Sequence, residues 1–176
     1  MRSAALAALL LGLCLPASAD IFLVRHADKK TPDEKSLLSS AGLKRAGDLA
    51  RVLSSANIKA VYVTEYERTR QTAAPTAAEH GLTPIVVNSD DVKGLAARLR
   101  ALPPGEDALV VGHSDTVPDL LTELGVSTKV AIGNFDYDNL FLVAPRASGE
   151  PDFQRLHYGA PSPRAPAAPA AMKRKP

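Results

Sequence analysis

Two of the chain's four histidines close short apolar runs: Leu23-Val24-Arg25-His26 and Val110-Val111-Gly112-His113. Arg25 sits beside the first, and Arg68 comes a few residues after a third run, Tyr62-Val63-Thr64. Runs of this kind read as strands, and in an open α/β sheet ligands gather at the strands' carboxyl ends. Any one of these residues alone would be read as a local cap or a satisfied polar group. Two imidazoles and two guanidinium groups on one rim are different, because together they disfavour one another's charge unless an anion fills the gap. The planar fork of arginine suits phosphate or carboxylate, and a helix beginning after His113 would turn its first amides to the same rim. A phosphoryl group has more oxygens to satisfy than a carboxylate and so matches four nitrogen side chains better. A neutral imidazole can attack phosphorus, while the remaining groups neutralise the equatorial oxygens during transfer. The expectation is that Arg25, His26, Arg68 and His113 surround one tetrahedral oxyanion, with Nε2 of both imidazoles facing it. No metal or other cofactor is required, and adjacent arginines would repel a cation.

Four apolar, β-branched runs could place these residues: Ile21–Val24, Ala60–Val63, Ile85–Val87 and Ala108–Val111. Each is uninterrupted, as in strands buried on both faces. Helical segments separate them. Leu43, Ala46, Ala50 and Leu53 share one face of a helix preceded by Ser39 and Ser40, both able to cap it. Thr69 to His80 reads as a second helix, disturbed by Pro75 and ended by Gly81. Asp91 to Leu102 and Val117 to Leu124 read as the third and fourth, and Leu140–Ala144 with Phe153–Tyr158 as a terminal hairpin extending the sheet. The fold class is therefore α/β: a three-layer αβα domain around a mostly parallel sheet.

Taken in order, the motifs resemble the histidine phosphatase superfamily, also called the phosphoglycerate mutase-like fold, from about Ile21 to Gly159. They are LVRHADK at 23–29, LLSSAGLKRAGDLARVL at 37–53, YERTRQTAAPTA at 66–77, VVGHSDTVPDLL at 110–121, and Tyr-Asp-Asn-Leu at 137–140. The resemblance implies that His26 is the nucleophile that becomes phosphorylated. It implies that Arg25 and Arg68 clamp the phosphate and that His113 binds the phosphoryl oxygens. Ala27 stands where the family often has Gly, adding a methyl group to the loop.

A leaving alkoxide needs a proton from a nearby acid. One branch of the family places that acid in the loop after the third strand, where this chain has Asp90 and Asp91. Another places it beside the second histidine, where this chain has Asp115. Asp91 and Asp115 equally suit helix N-caps. Asp115 is preferred because it must lie on the active rim. Glu65 and Glu67 are expected to orient Arg68, His80 to sit at a helix end where a cation suits the dipole, and His157 to be exposed. Lys29 and Lys30 belong to a solvated loop from which they could guide an anionic substrate. Selectivity should rest on the loops at 28–38, 88–91 and 126–137.

The ends of the chain read as accessories. Arg2, an apolar run from Ala4 to Leu15, and Ala17-Ser18-Ala19 have the form of a cleaved secretory signal over residues 1–19, leaving Asp20 first. The apolar run is shorter than the ~20 residues a membrane span needs, so no stable insertion is expected after cleavage. Cys14, the only cysteine, leaves with the signal, which removes thiol chemistry from the mature chain. Residues 160–176, rich in Pro and Ala, read as a basic, disordered tail behind the domain at 20–159. The chain's formal charge is +2, but Arg2, Arg164, Lys173, Arg174 and Lys175 lie in these ends, so the domain itself carries −3. That sign, with 5% aromatic residues and no Trp, argues against a nucleic-acid partner. The expectation is an exported, periplasmic phosphohydrolase acting on phosphate monoesters through His26, with a small phosphorylated substrate or inorganic phosphate as partner. The alternatives are a phosphohistidine protein phosphatase and a non-catalytic phosphate-binding module.

Overall fold

The computed structural model describes residues 18–146 and 148–162. Most of the leader and the tail from 163 onward lie outside the described residues. Ten elements follow in the order β1 (Ile21–Arg25), α1 (Ser40–Leu53), β2 (Ile58–Thr64), α2 (Glu67–Glu79), β3 (Ile85–Val87), α3 (Val92–Arg100), β4 (Asp107–Gly112), α4 (Thr116–Glu123), β5 (Asn139–Ala144) and β6 (Asp152–His157). The sheet runs β3-β2-β4-β1-β5-β6. The first four strands are parallel, β5 pairs antiparallel with β1, and β6 pairs antiparallel with β5.

Alternation of side chains divides the core into two layers. Ile21, Leu23, Ala108 and Val110 pack against Leu95 and Leu99 of α3 and Leu120 and Leu121 of α4. Val24, Leu109, Val111, Val61 and Val63 pack on the opposite face against Leu49 and Leu53 of α1 and Ala73 and Ala77 of α2. This is the expected three-layer arrangement.

Register decides what the fold can do. Val24 pairs with Val111, Arg25 with Gly112, and Val63 with Val111, so the central strands end level with one another. The His26 amide donates to the Gly112 carbonyl at 2.9 Å, carrying the ladder one residue past β1.

Three details depart from the sequence pattern. β3 is an edge strand, with Ile85 41% and Val86 51% exposed, because only β2 flanks it. Leu43 is 55% exposed: the inward face of α1 is centred on Gly42, Ala46, Leu49, Ala50 and Leu53. Gly42 takes the inward place because α1 backs onto main chain there; a Cβ at that position would lie 2.3 Å from the Asp28 carbonyl oxygen. Finally, the chain stays attached beyond Gly159. Ala160 accepts a hydrogen bond from Arg45 at 2.7 Å, and Ser162 Oγ accepts from the amides of Tyr137 and Asp138 at 2.7 and 3.0 Å.

Candidate active site

The level strand ends bring His26 and His113 together, their ring centroids 5.4 Å apart and their planes at 61°. Thr64, from the end of β2, lies against His113, and Arg68 reaches in from the first turn of α2. All four residues named from the sequence are buried: Arg25, His26, Arg68 and His113 are each less than a tenth exposed.

The backbone fixes the tautomer of His26. Nδ1 lies 2.9 Å from the carbonyl oxygen of Ala27, an acceptor only, so Nδ1 carries the proton and Nε2 keeps its lone pair. Burial, with the charges of Arg25, His113 and Arg68 added, pushes the His26 pKa down to about 3. The imidazole is therefore neutral at ordinary pH. Ala27 causes no disturbance: it is fully buried against Leu38 and Ala46, its amide donates to Thr72 Oγ1 at 2.9 Å, and no non-glycine residue among those described has a positive φ. The extra methyl group fits where the family often has Gly.

His113 faces differently from the expectation. Its Nε2 lies 2.9 Å from Thr64 Oγ1, turned away from the anion position, while Nδ1 accepts from Arg68 Nη2 at 3.3 Å. The reason is local: Thr64 ends the neighbouring strand, and its Oγ1 accepts a hydrogen bond from Nε2–H. Burial, and then the charge of Arg68, lowers the His113 pKa to about 4, with Asp115 and Glu65 pulling the other way. Tyr66 stands edge-on to the His113 ring at 5.1 Å, and its face lies under the Arg68 guanidinium at 4.2 Å.

The guanidinium groups are held by carbonyls and aromatic faces instead of carboxylates. Arg25 donates to the Gly133 carbonyl at 2.7 Å and lies 4.4 Å over the ring of Tyr137, which also sits 6.0 Å from His26. Arg68 donates to the Glu34 carbonyl. Both keep a buried Nε–H with no acceptor among the described residues. An unmet buried donor costs about 1–3 kcal/mol, so two of them beside two neutral imidazoles describe a nest short of negative charge.

Among the candidate acids, Asp115 is the one whose charge acts on Arg25, Arg68 and His113. It also caps α4, accepting from the Thr116 amide with Oδ1 at 2.7 Å. Asp91 caps α3 through Gly94, and Asp90 makes a turn with Asn88; neither is among the charges felt by the nest. Glu65 and Glu67 do not orient Arg68: Glu65 accepts from Ser89 and Glu67 pairs with Arg70. His80 caps α2 with Nε2 3.2 Å from the Leu53 carbonyl, and His157 is exposed beside Asp138.

Several supporting residues were not singled out from the sequence. Thr64, Tyr66, Thr72 and Tyr137 touch the four core groups, and Gln71 Oε1 accepts from the Leu38 amide to fasten the 29–38 loop over α2. Thr72 and Gln71 are the Gln-Thr of the YERTRQTA motif, and Tyr137 opens Tyr-Asp-Asn-Leu. Those motifs were the available signal.

A family model described as the histidine phosphatase superfamily, branch 1, matches residues 21–91. No curated protein matches the chain in sequence. Among solved structures, the chain is similar to the protein histidine phosphatase SixA complexed with tungstate, at TM-score 0.61 and 18% identity, covering 78% of this chain and 96% of that one. It is similar to a mycobacterial glucosyl-3-phosphoglycerate phosphatase in complex with VO3, at 0.63 and 14%, covering 81% and 100%. A third is the alpha-ribazole phosphatase from Shigella flexneri, at 0.60 and 13%, covering 73% and 91%. At these identities the likeness speaks for the fold.

Proposed function

We propose that the chain is a phosphatase of the histidine phosphatase superfamily, whose model matches residues 21–91, and that it cleaves phosphate monoesters through a phosphohistidine on His26. One observation carries this reading: the bare Nε2 of a buried, neutral imidazole lies in a nest with two buried guanidinium groups. The names of the similar structures agree with it, since two hold tungstate or a vanadium oxyanion, both stand-ins for phosphate.

Nε2 attacks phosphorus, the bond to the ester oxygen breaks, and that oxygen leaves with the electron pair. Asp115 supplies its proton, using the oxygen not engaged in capping. Water then attacks phosphorus and gives a proton to the Asp115 carboxylate, the P–N bond breaks, the electron pair returns to Nε2, and inorganic phosphate leaves. Arg25 and Arg68 neutralise the equatorial oxygens throughout, through the fixed donors that the Gly133 and Glu34 carbonyls align. Each proposed step is assigned to a side chain of this protein or to water.

The test is release of phosphate from 4-nitrophenyl phosphate, with acid- and base-quenched samples probed for an acid-labile, base-stable phosphoenzyme. Wild type should form it and turn over; His26→Ala should do neither. Equal rates in the two proteins would remove His26 as nucleophile, and activity in neither would favour a phosphate-binding module.

We further propose export to the periplasm. The sequence of the leader supports it: Arg2, the apolar run from Ala4 to Leu15 and Ala17-Ser18-Ala19. Terminal sequencing of the protein recovered from cells should begin at Asp20; an intact leader would overturn this.

A further inference from the structure

Beside the nest lies a cleft of about 470 Å3, lined by Arg25, Lys29, Lys30, Asn134, Phe135 and Tyr137 among others. Arg25 and Tyr137 belong to both, so the cleft opens directly off the place where phosphorus would sit. A phosphate ion occupies a small part of that space; clefts of roughly 300–1,000 Å3 hold whole organic ligands.

The cleft's walls differ in chemistry. Phe135 is 56% exposed, the most exposed large apolar side chain among the described residues. Lys29 donates to the Pro32 and Asp33 carbonyls at 2.7 and 3.4 Å, which commits it to shaping its own loop. Lys30 is held by its backbone, through the Leu37 carbonyl, and its exposed ammonium has no ion-pair partner among the described residues. The carboxylates near the nest are engaged by other groups: Glu34 accepts from the Tyr66 hydroxyl, Glu65 from Ser89, Asp115 caps α4, and Asp136, whose charge acts on Arg25, accepts from the Gly133 amide. The cleft therefore offers an uncovered aromatic face and a free positive charge.

Resting on the phosphatase reading, we infer that the substrate is a monoester whose leaving group has a flat apolar body, packed on Phe135, and a second anionic group paired with Lys30. That group is a carboxylate or a second phosphate. A small alcohol phosphate would leave Phe135 in water and Lys30 unpaired. Both contacts lie away from the reacting phosphorus, so they act mainly through KM.

Three aryl esters test this: 4-carbamoylphenyl phosphate, 4-carboxyphenyl phosphate and 1,4-phenylene bisphosphate. Wild type should prefer at least one of the two anionic esters over the amide by about fivefold in kcat/KM, mostly in KM. Which one it prefers identifies the second group. Lys30→Gln should bring the three within about twofold, whereas Lys30→Arg keeps the preference. Phe135→Ala should raise KM for all three by about fivefold, with Phe135→Tyr restoring it. No preference in wild type, or the same preference in Lys30→Gln, overturns the substrate class while leaving phosphate release intact. Release from none of the esters overturns the phosphatase reading as well.

Discussion

His26 and His113 are neutral because they are buried among positive charges, and that has a cost in acid. Their folded pKa values, about 3 and about 4, lie below the ordinary 6.5. Between those limits the unfolded chain binds protons that the folded chain does not, so stability falls as pH drops from 6.5 toward the folded values. The expected loss is about 2 kcal/mol per imidazole between pH 8 and pH 5. Urea unfolding at the two pH values, compared between wild type and His113→Asn, measures it; equal slopes in both would exclude a buried neutral His113. A phosphate analogue should reverse part of this penalty. His113 Nδ1 accepts from Arg68, so it can donate to a phosphoryl oxygen only after gaining a proton. Tungstate binding at pH 7 should therefore take up close to one proton, read by calorimetry in buffers of different ionisation enthalpy. His113→Asn should abolish the uptake, and zero uptake by wild type would assign His113 another role.

The elements matter through where they end. Thr72, one turn after Arg68 on α2, accepts from the Ala27 amide and donates to the Arg68 carbonyl, so a single hydroxyl links the loop after His26 to the helix that carries Arg68. Thr72→Val leaves the Ala27 amide unmet at about 1–3 kcal/mol and loosens the carbonyl that fixes the His26 tautomer. The expectation is a kcat about tenfold lower with KM little changed, whereas Thr72→Ser retains activity; a change confined to thermal stability would make Thr72 merely structural. At this scale the sequence was most legible. Short apolar runs fixed the strands, and the residues after them, Arg25-His26 and Gly112-His113, met as expected because parallel strands in register end level. What escaped was whatever the main chain supplies. The carbonyls of Ala27, Glu34 and Gly133 orient three of the four core groups, and no side-chain pattern announces a carbonyl. Leu43 was misplaced for a related reason, since the close approach of α1 to the Asp28 backbone depends on tertiary packing that a helical period does not contain.

For the whole molecule, the segment Tyr158–Ser162 ties two loops to one another. Arg45, only 4% exposed, pairs with Asp28 at 2.7 Å and donates to the carbonyls of Tyr158 and Ala160. Ser162 Oγ accepts from the amides of Tyr137 and Asp138 and donates to Asp138 Oδ1 at 2.7 Å. One loop follows His26; the other carries Tyr137 and Gly133 to Arg25. A chain ending at Ser162 should keep full activity, while one ending at Gly159 should lose about tenfold in kcat/KM through a displaced Tyr137. Assaying the two side by side, with melting temperatures, decides it; equal activity would make the segment a passive cover.

The two ends of the described domain consequently transmit force to different places. Load applied at Asp20 arrives at the amino ends of the parallel strands, on the side of the sheet away from the nest. Load applied beyond Ser162 reaches the ring above Arg25 through two hydrogen bonds. An affinity handle or surface tether fused at the carboxyl end would thus strain the reaction pocket, and one at the amino end would leave it at rest.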